Sequence, residues 1–345
     1  MTGHPLVLAI WLLDGISGAL FLFAGWRLLA ILPAWQPTVS DGAQLARERS
    51  LTLVVYQGRW IFGLQVVALV ALLLGISNSW VDHVPGAMCG TGVLQALSAA
   101  GRQSLLLRLL TLLLLYCWQV VVRIDDQRPD MPLALIHGRL LLLAAPLLLL
   151  ATWRFGRAVA TMVSQGPVSC CVALYARVAS AGGEGMMSGI TPRTWAAGCF
   201  AGALMIGLWG LFQWRRPRRF ASWAVGAAGS AALLWIGVAV MEVMFFTAPY
   251  LLEVLSHPCP WCLLLWAHGG VGFALFGLLA LVAAESAAGL TAAVIAQRRP
   301  QLTTPALARL AQAGARLGLS ALLFVILAGA PVLLWRLRSG GWITI

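Results

Sequence analysis

Residues 263–284 read Leu-Leu-Leu-Trp-Ala-His-Gly-Gly-Val-Gly-Phe-Ala-Leu-Phe-Gly-Leu-Leu-Ala-Leu-Val-Ala-Ala, directly after His257-Pro258-Cys259-Pro260-Trp261-Cys262. No charged side chain interrupts the run, and a bilayer's hydrocarbon core takes roughly 20 helical residues, so this stretch is long enough to span. The hexapeptide sets a Cys-x-x-Cys pair at the mouth of that span, where it can meet water on one side and lipid on the other. Two cysteines at this spacing can close and reopen a small disulfide ring, which suits reversible electron transfer. Pro260 fits the first helical position and Cys259 the cap, so the spacing predicts a thiol at the positive end of a helix dipole. The same pair would also serve as two inert buried thiols, or as two metal ligands completed from elsewhere.

The rest of the chain repeats the apolar pattern. Of 345 residues 61% are hydrophobic and only 10% charged, which excludes an ordinary soluble domain. Eight stretches are long enough to cross, at roughly 7–32, 52–76, 104–124, 134–155, 192–213, 221–247, 260–284 and 318–335. The fold class expected is therefore an all-α polytopic membrane protein in contact with the lipid bilayer. The first span carries Asp14 and lacks a basic leader, and is read as retained. A net charge of +12 comes from arginines near span ends, which speaks for topology and against nucleic acid as a partner. All 23 basic residues are arginine, a bias that points to a bacterial source.

Arginine placement also orients the chain. Trp214-Arg215-Arg216-Pro217-Arg218-Arg219 joins the fifth and sixth spans and should face the cytoplasm. Alternation then puts Arg47, Arg49, Arg123, Arg128, Arg298, Arg299, Arg309 and Arg316 on the same side, with Arg154, Arg157 and Arg177 as exceptions. Both termini, the loops around Cys89 and around Cys170 and Cys171, and the Cys259 pair fall outside. That predicts a bacterial inner-membrane protein with its thiols gathered at the oxidising, periplasmic face.

The polar connector Asp125-Asp126-Gln127-Arg128-Pro129-Asp130-Met131-Pro132 suggests a division near residue 130. It would separate a three-span part over 1–130 from a part over 131–284, followed by a segment over 285–345. Within the last, 285–317 has the composition of an amphipathic helix lying on the inner surface ahead of the eighth span.

From about 134 to 284 the chain resembles the vitamin K epoxide reductase family in its bacterial membrane form. The residues that carry the likeness are a span at 134–155, Gly166-Pro167-Val168-Ser169-Cys170-Cys171-Val172, then Gly189-Ile190-Thr191-Pro192, then Leu233-Leu234-Trp235-Ile236, and finally Pro258-Cys259-Pro260-Trp261-Cys262. The resemblance implies a four-helix bundle and a thiol–disulfide oxidoreductase that passes electrons from extracytoplasmic thiols to a membrane quinone, ubiquinone or menaquinone. It implies Cys262 as the thiol beside the quinone, next to Trp261 as a candidate contact, and Cys259 as its exchange partner. Cys170 would carry oxidising equivalents to a periplasmic thioredoxin-like protein or another thiol substrate. The chain departs from the family in its loop pair, since Cys170 and Cys171 are adjacent and their Cα atoms, about 3.8 Å apart, are closer than an ordinary bridge allows. Three alternatives follow: Cys89 is the missing partner, one loop thiol is idle, or substrate reaches Cys259 directly.

Other residues have competing uses. Cys89 lies in a flexible loop, Pro85-Gly86-Ala87-Met88-Cys89-Gly90-Thr91-Gly92, while Cys117 and Cys199 fall inside spans and suit small buried apolar positions. His268 follows Cys262 by six residues, nearly two turns along the expected helix and beside Gly269, Gly270 and Gly272, which suits a bond between helices or a hydrogen bond to a quinone headgroup. The histidines show no spacing for haem, and no metal is expected. Glu242 and Asp14 are costly carboxylates within spans, suited to proton relay or to bonding between helices. A different class of function also fits, a non-enzymatic subunit or assembly factor among other membrane subunits that keeps a degenerate thiol site.

Overall fold

A computed structural model describes residues 2–36, 39, 41–162, 168, 191–219, 221–253 and 259–341. Among the described residues all regular structure is helical, and eight segments are long and apolar enough to cross a membrane. They are Pro5–Ala34, Gly42–Ser79, Ser98–Asp125, Ala134–Met162, Pro192–Arg215, Ser222–Leu252, Val271–Arg298 and Pro300–Ser339, with mean hydropathies from 1.6 to 2.5. The chain is thus an integral multi-pass membrane protein. Helices satisfy their own backbone groups, which lipid cannot, so apolar side chains such as Leu22, Phe23, Leu234 and Leu337 remain largely exposed for lipid contact.

The helices are α1 Pro5–Ile31, α2 Gly42–Leu74, α3 Gly90–Ala96, α4 Ser98–Asp125 and α5 Ala134–Met162, then α6 Pro192–Arg215, α7 Ser222–Glu242, α8 Ala248–Leu252, α9 Val271–Arg298 and α10 Thr303–Ser339. Their starts follow local chemistry. His4 and Thr191 cap helices that open on Pro5 and Pro192, whose missing N–H groups cost nothing there, and the Asp41 carboxylate accepts the Gln44 N–H at 2.6 Å.

The chain forms two compact units. The first comprises Met1–Gly75, Leu94–Gln165 and Arg298–Ala306, and holds α1, α2, α4 and α5. Its core includes Phe21, Leu28, Ile61, Leu115, Trp118 and Leu148. A polar network inside this unit draws on all four long helices, through Asp14 and Ser17, Gln65, Arg108 and Thr152. The Asp14 carboxylate accepts from both terminal nitrogens of Arg108, from Gln65 Nε2 at 3.2 Å and from Thr152 Oγ1 at 3.0 Å. The division expected near residue 130 is not found. Residues 126–133 are the turn of an α4–α5 hairpin, closed by Asp125, whose carboxylate accepts the Leu133 N–H at 2.8 Å and lies 3.4 Å from His137 Nε2.

The second unit comprises Ile76–Val93, Gly166–Gln297 and Leu307–Ile345. Four long helices do group in the C-terminal part, but they are α6, α7, α9 and most of α10, because α5 packs with α4 and α1 in the first unit. The surface helix expected over 285–317 is not a separate element. Residues 285–298 complete α9 and 303–317 begin the continuous α10. Glu285 on α9 explains this, since it pairs with Arg309 at 2.8 Å and Arg316 at 3.3 Å on α10, and Glu285 and Arg309 are buried. What looked like a polar surface stripe is a bond between helices.

Candidate functional site

Three of the five cysteines among the described residues meet in the second unit. Cys89 and Cys259 place their sulfurs 3.5 Å apart, and the sulfurs of Cys89, Cys259 and Cys262 all lie within 4.8 Å of one another. All three are buried, under a shell that includes Leu252, Trp261 and Leu265. Cys117 is half-buried on α4 of the first unit, and Cys199 is buried in the apolar core of the second, among Ala203, Trp235 and Phe324.

The two segments that carry the sulfurs are built to meet. At the end of α2 the backbone widens into a π-helical turn, Gly75–Ser79, and within it Asn78 reaches across to the other segment. Its Nδ2 donates to the Leu264 carbonyl and its Oδ1 accepts the Trp266 N–H, both at 3.1 Å. One side-chain amide thereby pins the backbone just after Cys262. A second fixing point is Gly90, next to Cys89, over which the Trp261 ring lies. A Cβ at position 90 would stand 2.8 Å from that ring and 3.1 Å from the Ile76 carbonyl.

Gly90→Ala is therefore expected to push Trp261 away from the Cys89 turn. An overpacking cost of about 1–3 kcal/mol, borne by the arrangement that brings the sulfurs together, lowers the equilibrium constant for a Cys89–Cys259 disulfide by roughly fivefold to a hundredfold. Non-reducing mobility after mild oxidation measures that yield. An unchanged yield would mean that the ring does not set the sulfur separation.

The expected helix start at Pro260 is corrected. After Cys262 the chain makes two short turns, Cys262–Leu264 and Trp266–His268, and α9 begins only at Val271. Gly269 and Gly270, with φ of +71° and +60°, hold the left-handed backbone that ends the second turn, and Gly272 lies too close to Leu263 to admit a Cβ. Cys259 and Cys262 are thus not at the start of α9 or its dipole. His268 is not two turns down a helix from Cys262 but exposed on the second turn. Near it Trp266, also exposed, stacks on Phe273 with centroids 5.9 Å apart.

Thr91 supplies the local polarity. Its hydroxyl lies 3.2 Å from Cys259 Sγ, and its backbone N–H also bonds the Cys89 sulfur. Hydrogen bonding from Cys259, then from Cys262, holds Cys89 well below the ordinary thiol value against the opposing effect of burial. Cys262 is pushed far up, first by its bond to Cys259, then by Cys89 and burial. The cause is common to both: one sulfur takes the negative charge and its neighbours keep their protons, since two thiolates this close in apolar surroundings would repel.

Cys89, Cys259, Cys262 and Trp261, all singled out from sequence, are brought together. Cys170 and Cys171 lie outside the described residues, as does His257. Asp14 belongs to the Arg108 network of the first unit. Glu242 is buried at the end of α7, where its Oε1 lies 2.6 Å from the Thr247 hydroxyl. Sequence reasoning missed Thr91 and Asn78. Thr91 had a signal, standing two residues after Cys89, whereas Asn78 looked like an ordinary polar residue at a span end. No family model, curated protein or solved structure matches this chain.

Proposed function

We propose that the protein is a membrane thiol–disulfide oxidoreductase in which Cys259 is the hub between Cys89 and Cys262. The observation that supports this reading best is the 3.5 Å separation of the Cys89 and Cys259 sulfurs, with Cys262 in reach of both. Closing a disulfide from there, to about 2.05 Å, needs a shift that a Gly-flanked turn can make.

In the oxidised form Cys89 and Cys259 share the bond. A substrate thiolate attacks Cys89 Sγ, and Cys259 leaves as a thiolate that the Thr91 hydroxyl stabilises. The second substrate thiol attacks its own mixed disulfide and releases Cys89. The Cys259 thiolate and the Cys262 thiol then join, giving up two electrons and the one remaining proton. Cys89 thiolate attacks Cys259 of that new disulfide, Cys262 leaves and takes a proton, and the starting form is restored. A membrane quinone, as acceptor, supplies the oxidising power for the joining of Cys259 and Cys262. The residues near Cys262 suit such a flat, lipid-borne ring, with Trp266 stacked on Phe273 and His268 exposed beside them. In this reading Cys89 takes the shuttle role that the family resemblance gives to Cys170. The site would face the periplasm of a bacterial inner membrane, and a thioredoxin-like protein fits as thiol donor.

Single replacements test the order of exchange. Cys89→Ser should accumulate the Cys259–Cys262 disulfide, which has lost its attacking thiol, whereas Cys262→Ser and Cys259→Ser cut the path to the acceptor and should leave the remaining two thiols reduced, as read by maleimide trapping in quinone-replete membranes. Substrate oxidation that continues unchanged in Cys89→Ser would end the relay.

A further inference from the structure

We infer that the reduced sulfurs of Cys89, Cys259 and Cys262 form a three-coordinate site for copper(I), and that copper loading and disulfide formation exclude one another. The inference rests on the exchange reading only in using the same reduced thiols.

Geometry favours an ion at the centre. Thiolates about 2.3 Å from one ion in a trigonal arrangement stand about 4 Å from each other. Here one pair is 3.5 Å apart and all three sulfurs are within 4.8 Å, so adjustments of less than about an ångström complete the site. A disulfide demands a larger approach and can use only two of the three sulfurs. An ion uses them all.

The donor set selects the ion. Thiolates are soft ligands that favour copper(I), zinc and iron–sulfur clusters. Zinc in protein sites takes four ligands, and among the described residues this group holds three sulfurs and no histidine or carboxylate. Three sulfurs suit a monovalent soft ion. Burial beneath Leu252, Trp261 and Leu265 keeps water away, which protects copper(I) from oxidation, and the Thr91 hydroxyl can donate to Cys259 Sγ to offset its charge. Sequence pattern alone conceals such a site, because Cys89 and Cys259 are 170 residues apart.

Competition for copper(I) against a coloured chelator, with the full chain reduced and anaerobic in detergent, provides the test. The expected result is one copper withdrawn per chain, with a thiolate-to-copper absorption band. Cys89→Ser, Cys259→Ser and Cys262→Ser should each weaken uptake at least as much as the roughly 10–100-fold lost with an outer-shell partner, while Cys117→Ala and Cys199→Ala leave it unchanged. Oxidising loaded wild-type protein with diamide should expel the copper, a readout that needs no variant. Failure to withdraw copper, or uptake indifferent to all three replacements, would overturn the inference. So would copper that stays bound once the thiols are trapped as disulfide. Thiol trapping on the same samples separates the two ideas: disulfide exchange without copper uptake sinks the copper site alone, and copper uptake without any disulfide sinks the exchange reading alone.

Discussion

Arg108→Ala is expected to destabilise the first unit by about 3–5 kcal/mol, the cost of leaving a buried charge without its partner. Asp14 and Arg108 are both fully buried at the side chain, and Arg108 meets the carboxylate with both terminal nitrogens. Such a fork matches carboxylate geometry, and Gln65 and Thr152 occupy further positions on the same oxygens. Removing the guanidinium strands a carboxylate in apolar surroundings, where the remaining neutral donors cannot offset its charge. Asp14→Asn should also destabilise, because it strands Arg108 instead. The double change D14L/R108L should recover most of the loss, since replacing both partners by apolar groups is often near neutral. Equilibrium unfolding in mixed micelles measures all three variants. A loss below about 1 kcal/mol for Arg108→Ala, the range of solvent-exposed pairs, would show that water reaches the network.

In the second unit the comparable liability is steric. Gly210→Val is expected to cost about 3 kcal/mol or more, at or beyond the upper end of ordinary overpacking. At this crossing α6 and α10 touch backbone to backbone: a Cβ on Gly210 would overlap the Gly314 carbonyl oxygen, and one on Gly314 would stand 2.8 Å from the Gly210 carbonyl. Small residues permit such approach between membrane helices, where dispersion and close packing replace the hydrophobic drive. Neither neighbour can rotate away, because both are main-chain atoms. The helices must separate, and the Gln213 Nε2 bond to the Leu310 carbonyl, 2.9 Å long, is strained with them. Thermal unfolding should show the loss, with Gly237→Val as a control, since a Cβ there meets nothing within 4 Å. Equal effects at the two positions would refute the close-contact account.

Much of this architecture was legible in the chain. Long charge-poor runs can satisfy their backbone in lipid only as helices, so each of the eight expected spans finds a helix. Boundaries were harder. The apolar run after Cys262 does not begin a helix at Pro260, because Gly269 and Gly270 break it and Asn78 holds the preceding backbone in place. Glu285, Arg309 and Arg316 looked like a solvated stripe, since polarity along a segment does not tell whether a partner lies opposite. Asp14 was visible as an anomaly, but its partner Arg108 required knowing which helices are neighbours.

The candidate site divides the same way. Cys259 and Cys262 are three residues apart, so covalent spacing alone keeps them close. That Cys89 joins them, with Thr91 beside it, depends on how an early loop folds against a late one. By itself the order of residues determined a multi-pass helical protein with a dithiol at the start of its seventh apolar run, because hydropathy and local spacing act over one helix length. Tertiary packing decided which third sulfur and which counter-charge each buried group meets, because those contacts join residues far apart in the chain and leave no periodic trace in either.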